Sequence, residues 1–247
     1  MRITTAPRGI AHTPLSPAFG ALVRGMDLAR ITPDQFRRLY QLWQQHHVLV
    51  LRDQQLTTAD FHRLGAMMGD HEHVSVTGDA TTEWHSDMPW MDRPPFASLL
   101  WTEQVPERSG AMWFASMPAA LRSMPLELVA RLSILPLRHG QSTVHPMVIM
   151  QPETGETSLY LGRRKDTCIP GVPLPESDRL LNILWSYATA TSVSLCHEWQ
   201  QGDVVLWNNL TTIHRVEPLA STESTKVHLT RVKGRYTLSA PIQQEAA

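Results

Sequence analysis

The sequence predicts a mostly β protein, a β-sandwich or jelly roll with helices packed outside it, and three observations carry that expectation. From residue 84 onward short apolar segments of strand character alternate with turns. Helical patterns are few and fall early and mid-chain. Residues 145–162, HPMVIMQPETGETSLYLG, read as a hairpin, with two apolar runs flanking PETGE and Gly155 supplying the positive φ of a tight turn. Strands in this number with a few helices make two packed sheets with helices outside them.

Residues 17–27 can hold a short strand, and ITPDQFRRLYQLWQQHH then reads as a helix. Thr32 is its N-cap, Pro33 suits its first turn, and Gln35 completes a capping box. Phe36, Leu39, Tyr40 and Trp43 recur at helical spacing on one face. VLVLRD, residues 48–53, is a buried-strand run, and LTTADFHRLGAMMG is a second helix with Phe61, Leu64 and Met68 inward. Residues 69–83 read as a polar loop. ASLLWTEQV and AMWFASM are strands, and residues 116–139 hold one or two helices broken by Pro118, Pro125 and Pro136. PLPESDRLLNILWSYAT is a helix with Leu180, Leu181, Leu184 and Trp185 on or near one face. SVSLCHEW, VVLWNN and KVHLTRVKG close the chain as strands. The helices are expected near 33–46, 58–68 and 175–188, around a jelly roll spanning 84–236.

Composition narrows the function classes. The 247 residues fit one large domain or two small ones, and without a repeat or low-complexity linker they read as one domain, 1–247. A net charge of −1 and the lack of a basic run argue against nucleic acid. No apolar stretch approaches the roughly 20 residues of a membrane span. The first residues lack the apolar core of a signal peptide, and two cysteines make no disulfide framework, so a reducing cytoplasm is expected. The 12 histidines and 8 tryptophans suggest a lined pocket.

Residues 84–90, WHSDMPW, carry the chemistry. In extended chain residues i and i+2 point the same way, so His85 and Asp87 can reach one ion. Two imidazoles and one carboxylate on one face of iron(II) leave the opposite face open for O2 and a co-substrate. A third ligand must come from elsewhere. Of the nine histidines outside this stretch and the adjacent pair His46–His47, His214 has the most suggestive setting, WQQGDVVLWNNLTTIHRVEP, after a tight glycine turn and a β-rich run.

WHSD, then the His-Pro…Thr-Gly…Leu-Tyr hairpin, then EWQQGDVVLWNNLTTIH, in that order, resemble the taurine dioxygenase and 2,4-dichlorophenoxyacetate dioxygenase (TauD/TfdA) family over about residues 17–236. The resemblance implies a double-stranded β-helix, or jelly roll, and an enzyme that uses iron(II), O2 and 2-oxoglutarate to hydroxylate an unactivated C–H bond of a small molecule. It assigns His85, Asp87 and His214 as iron ligands. Halogenating relatives lack the carboxylate, so Asp87 favours hydroxylation or related desaturation and ring-forming oxidations. The loop before His-x-Asp carries substrate contacts in the family, which brings in His71 and His73, with Trp90 beside them.

The sequence departs from the family at the co-substrate. The arginine expected for the C5 carboxylate of 2-oxoglutarate is missing from the window ending STESTKVHL, which runs out at Leu229. Arg231, one strand period further on, is the expected anchor, with Leu229 packing beside it and Lys226 as runner-up. Met112 stands where a supporting threonine is usual. The loop between His73 and Trp84 is short for the family and suggests a less enclosed site, and Arg215 and Arg235 are further candidates to meet an anionic substrate. Two other readings stay open here: an iron oxygenase of the same fold that does not use 2-oxoglutarate, and a cupin-like protein whose metal holds a ligand. Homo-oligomerisation is also open.

Overall fold

The computed structural model describes residues 10–75, 82–106, 110–141, 143–217 and 225–241. Among them the first part of the chain forms β1 (His12–Pro14), β2 (Ala21–Val23), α1 (Pro33–His46), β3 (Val48–Leu51), α2 (Thr58–Met68) and β4 (His71–Ser75). The middle forms β5 (Ala97–Gln104), β6 (Ala111–Ser116), α3 (Met117–Arg122), α4 (Leu126–Ser133), β7 (Pro136–His139), β8 (Thr143–Pro146), β9 (Val148–Met150), β10 (Thr157–Leu159) and β11 (Thr167–Cys168). The last part forms α5 (Leu174–Ala188), β12 (Ser194–Glu198), β13 (Val204–Asn208), β14 (Thr212–Val216) and β15 (Lys226–Val232).

Seven strands make the larger sheet, in the order β1-β2-β3-β13-β5-β15-β4, and β12-β6-β14 make a smaller sheet. The two face each other across Val50, Leu100, Met112, Phe114, Val205 and Trp207, a jelly-roll interior as the sequence predicts. On the outer face of the larger sheet, α1 and α2 bury Leu39, Trp43, Phe61 and Leu64 against Leu49, Leu51 and Leu99. Behind the smaller sheet, α3 and α5 close on Ala115 and Ile213. β3 is buried at all four positions because both of its faces are covered, Val48 and Val50 by the interior and Leu49 and Leu51 by the helices.

The helix signals act as read. Thr32 accepts from the Gln35 amide, the Gln35 side chain accepts from the Thr32 amide, and Pro33 opens α1. A second capping box, Thr57 with Asp60, starts α2. The hairpin forms as β9–β10, with Gly155 at φ 73°.

Four expectations change. Residues 71–75 are strand β4, where a loop was expected; the segment is polar because it lies at the sheet's edge, paired on one side only, with β15. Pro136 opens strand β7 where it was read as a helix break, a position where a missing N–H costs little. The strand carrying His214, β14, had no separate signal in the sequence. The jelly roll also reaches beyond 84–236, since β1 to β4 supply four of the seven strands of the larger sheet.

Candidate metal centre

His85 and His214 are brought together by backbone pairing. The His85 amide donates to the His214 carbonyl at 2.9 Å and the His214 amide to the His85 carbonyl at 2.8 Å, so residue 85 is an added rung beside β14. The rings lie 4.2 Å apart between centroids. Asp87 returns to the same side two residues on, while Ser86 points away and donates to the Leu161 carbonyl at 2.7 Å. Met88 follows at φ 45°, a left-handed conformation that costs a β-carbon residue roughly 1–2 kcal/mol and turns the chain out of line. One ligand atom from each of His85, Asp87 and His214 lies within 4.8 Å of the others, and among the described residues no other histidine, cysteine or carboxylate group converges in this way.

Two of the three ligands have the unused atom tied down, while His214 Nδ1 is buried without a hydrogen-bond partner. His85 Nδ1 lies 2.9 Å from the Glu83 carbonyl, an acceptor only, so Nδ1 carries the proton and Nε2 keeps its lone pair. Asp87 Oδ2 accepts from Ser98 Oγ at 2.7 Å, Ser98 Oγ accepts from Asn209 Nδ2 at 2.8 Å, and Asn209 Oδ1 accepts from Trp207 Nε1 at 2.9 Å. That leaves Asp87 Oδ1 3.9 Å from His214 Nε2 and 3.3 Å from Arg231 Nε.

The protonation states suit a cation. Burial, reinforced by His85, lowers His214 to about 3 against the pull of Asp87. Burial also lowers His85. At Asp87 burial acts to raise the pKa, but His214, Arg231, His85 and the Ser98 hydroxyl outweigh it and hold the carboxyl below its usual range. Two neutral imidazoles and an ionised carboxylate are therefore ready at neutral pH, the donor set an iron(II) facial triad needs.

A cavity of about 420 Å³ opens in front of this cluster, lined among others by His85, Asp87, Trp90, His139, Arg163 and Arg231. Of the residues expected at the site, Arg231 reaches it from β15, and Trp90 sits at its mouth, 56% exposed. Lys226, His71 and His73 do not. β15 turns Leu229 and Arg231 inward, while alternation sends Lys226 and His228 outside, His228 stacking on Trp101, and the register shift between Lys226 and Val227 leaves Thr225, expected on the Arg231 side, in the outer groove too. Lys226 pairs there with Glu103 at 3.4 Å. On β4, Glu72 and Val74 oppose Arg231 and Leu229, so the alternation sends His71 and His73 to the α2 side. His73 packs on His62 and Phe61, and His71 bonds the Gly69 carbonyl. Met112 and Leu229 belong to the apolar cluster between the sheets; neither lines the cavity. Arg215 lies over Trp84 and Trp113, and Arg235 bonds the Met68 carbonyl and lies over Phe96. Most of the loop between His73 and Trp84 falls outside the described residues.

The profile of the family described as "Taurine catabolism dioxygenase TauD, TfdA family" matches residues 11–233. The chain belongs to the TauD/TfdA family. It is 28% identical over 270 residues to an (S)-phenoxypropionate/alpha-ketoglutarate-dioxygenase of Sphingobium herbicidovorans, covering 90% of this chain and 94% of that one. An enzyme of the same description from Delftia acidovorans is 30% identical over 262 residues, covering 83% of this chain and 89% of the relative. Among solved structures, AAD-2 in complex with Mn(II) and N-oxalylglycine superposes with a TM-score of 0.85 at 25% identity, covering 94% of this chain and 100% of that one. The chain is accordingly an iron(II)- and 2-oxoglutarate-dependent dioxygenase acting on a small molecule. Its departures at Leu229 and Met112 do not take it out of 2-oxoglutarate chemistry.

For a TauD/TfdA enzyme, the sequence hid several residues that shape the site. Ser98 and Asn209 lie inside segments already noted, ASLLWTEQV and VVLWNN, and the Trp-x-Asn of the second was the visible signal. Glu72 was masked by its histidine neighbours, although it is the residue of HEH that opposes Arg231, with a carboxylate oxygen 3.9 Å from Nη1. His139 and Arg163 had no signal at all, because their loops meet the triad only through the fold.

Proposed function

We propose that His85, Asp87 and His214 hold the iron(II), that Arg231 meets a carboxylate of 2-oxoglutarate, and that the enzyme hydroxylates a C–H bond of a small organic anion in the cavity before them. The observation that carries this reading is the convergence of the three ligand atoms at a cavity that also holds two guanidinium groups, Arg163 and Arg231. When bound, the iron supplies O2 activation coupled to oxidative decarboxylation of the 2-oxo acid to succinate and CO2.

The protein's own residues do the rest. Glu83 and Ser98 fix the ligand orientations. Nε of Arg231 is engaged by Asp87, and its amino nitrogens, with Glu72 no nearer than 3.9 Å, are the groups to meet a co-substrate carboxylate. Arg163, which pairs with Glu83 at 3.5 Å and Asp166 at 3.6 Å, is the second cation of the cavity and the one assigned to the substrate's acid group. Met88, Pro89 and Trp90 form an apolar wall that favours an aromatic or alkyl body. Two relatives are named for phenoxypropionate, so aryloxyalkanoates are the first class to test.

The chain is taken as one domain working in a reducing cytoplasm, since Cys168 and Cys196 are both free. No helix among the described residues is long and apolar enough to cross a membrane. The deciding experiment measures O2 uptake and succinate release with iron(II), with and without 2-oxoglutarate, across a panel of aryloxyalkanoates, sulfonates and sulfate esters. Succinate formed at the same rate with and without every candidate, and no product from any, would refute the substrate class.

A further inference from the structure

His139 ends β7 with its ring in the wall of the triad cavity. The side chain is 1% exposed, and neither Nδ1 nor Nε2 has a hydrogen-bond partner. A buried polar atom without a partner costs roughly 1–3 kcal/mol, and His139 has two. Its neighbours do not explain them. His145, 5.4 Å away between ring centroids, spends Nε2 on the Met91 carbonyl, and Tyr160 packs against both rings. The fold makes room for this imidazole. A β-carbon at Gly162 would stand 2.5 Å from His139 Nδ1 and 3.0 Å from Pro89 Cγ, so the glycine is required by space alone.

We propose that His139 is a substrate-contacting residue that hydrogen-bonds an uncharged polar atom of the substrate, such as an ether, carbonyl or hydroxyl oxygen, while a guanidinium of the same cavity takes its anion. Arg163 and Arg231 already supply the charge. A neutral imidazole offers one N–H and one lone pair, which is directional recognition without charge. Burial, helped by His145, keeps this ring neutral, with its pKa lowered to about 3. Discrimination of this kind comes from the partner left unpaired when the matching atom is missing. The inference rests on the cavity being the substrate site of the dioxygenase.

The test compares wild type with His139→Leu and His139→Gln. Binding of 2-phenoxypropionate, and of its analogue with the ether oxygen replaced by CH2, is followed by calorimetry on the iron(II)·2-oxoglutarate enzyme without O2. Wild type is expected to favour the ether by about tenfold. His139→Leu should lose that preference, and His139→Gln should keep part of it, with iron and 2-oxoglutarate binding unchanged in both. Equal preference in wild type and His139→Leu would overturn the proposal. Thermal melts give a second arm that needs no substrate. An imidazole whose hydrogen bonds serve a ligand is a liability in the resting protein, so His139→Leu should raise Tm, by about 2–4 °C. A fall of that size would assign the ring a structural role and overturn the proposal even if wild type bound neither probe, an outcome that by itself would refute only the aryloxyalkanoate class.

Discussion

Two histidine-and-carboxylate clusters lie on opposite faces of the larger sheet, and their contrast shows what makes a metal site. Inside, His85, Asp87 and His214 converge within 4.8 Å, with the unused atoms of His85 and Asp87 held by neighbours. Outside, His62, His73 and His228 crowd a groove between α2, β4 and β15 beside Glu103 and Lys226. Their rings pack edge and face, His62 to His73 at 4.5 Å and His228 on Trp101 at 4.6 Å, and Glu103 is already engaged by His228 at 2.7 Å. The outer cluster has more imidazoles, three against two, but its nitrogens do not aim at one point. Convergence comes from strand geometry: the i, i+2 spacing of one segment and a backbone pair that sets a distant residue opposite it.

Four experiments would break or sharpen the contrast. The largest effect is expected at the triad, where His85→Ala, Asp87→Ala and His214→Ala should each abolish stoichiometric iron(II) binding, while His73→Ala and His228→Ala bind as wild type. Metal analysis after desalting decides it, and full iron occupancy in any triad variant would remove that residue from the site.

Next come the two cations of β15. Losing one partner of a buried charge pair costs about 3–5 kcal/mol. Arg231→Leu should therefore weaken 2-oxoglutarate by a factor on the order of 100 or more, at about 1.4 kcal/mol per tenfold. Lys226→Leu, on the outer face, should leave it unchanged. Anaerobic titration of the iron(II) protein reads both, and the reverse pattern would mean that the co-substrate enters from the other side of the strand.

A smaller effect is expected behind Asp87. Ser98→Ala removes the donor to Oδ2 and should lower iron affinity by about 10–100-fold, the usual range for a group that orients a metal ligand. An unchanged Kd in a competition assay would make the hydroxyl irrelevant to the carboxylate's aim.

The last is the response to acid, which builds gradually with pH. His139 and His214 are each held near 3, against an ordinary value of 6.5. Below pH 6.5 the unfolded chain takes up protons that the folded one refuses, so stability should fall from about pH 6.5 toward 3, by up to about 1.4 kcal/mol per pH unit for each ring. His139→Leu should flatten that limb in the metal-free protein, and Tm profiles of identical slope would contradict the burial of this ring as a neutral group.

How much of this was legible in the sequence follows the range of the physics. Capping boxes act over three residues and hairpin turns over a few, so α1, α2 and the β9–β10 hairpin could be placed from residue order alone. The His-x-Asp pair is equally local, and the third ligand came from a block of sequence whose order resembles a family. Strand parity was harder. At β4 the histidines drew attention in a polar run, but pairing with β15 decided which side chains face in, and it chose Glu72. At β15 a bulge broke the alternation that regular spacing assumes. His139 and Arg163 depend on loops from separate hairpins meeting at one wall, which no local pattern encodes.

The chain of hydrogen bonds behind Asp87 also has a direction. An indole N–H can only donate, so Trp207 forces Asn209 to present its oxygen on one side and its amide on the other; Ser98 is left to donate onward, and Asp87 is the terminus where only an acceptor fits. The arrangement acts as a one-way valve for polarity. An asparagine at position 87 would have to accept from Ser98 with its oxygen and turn its amide toward Arg231, donor against donor. The tryptophan of VVLWNN thus dictates, through two intermediaries, that residue 87 be a carboxylate and be ionised before any metal arrives.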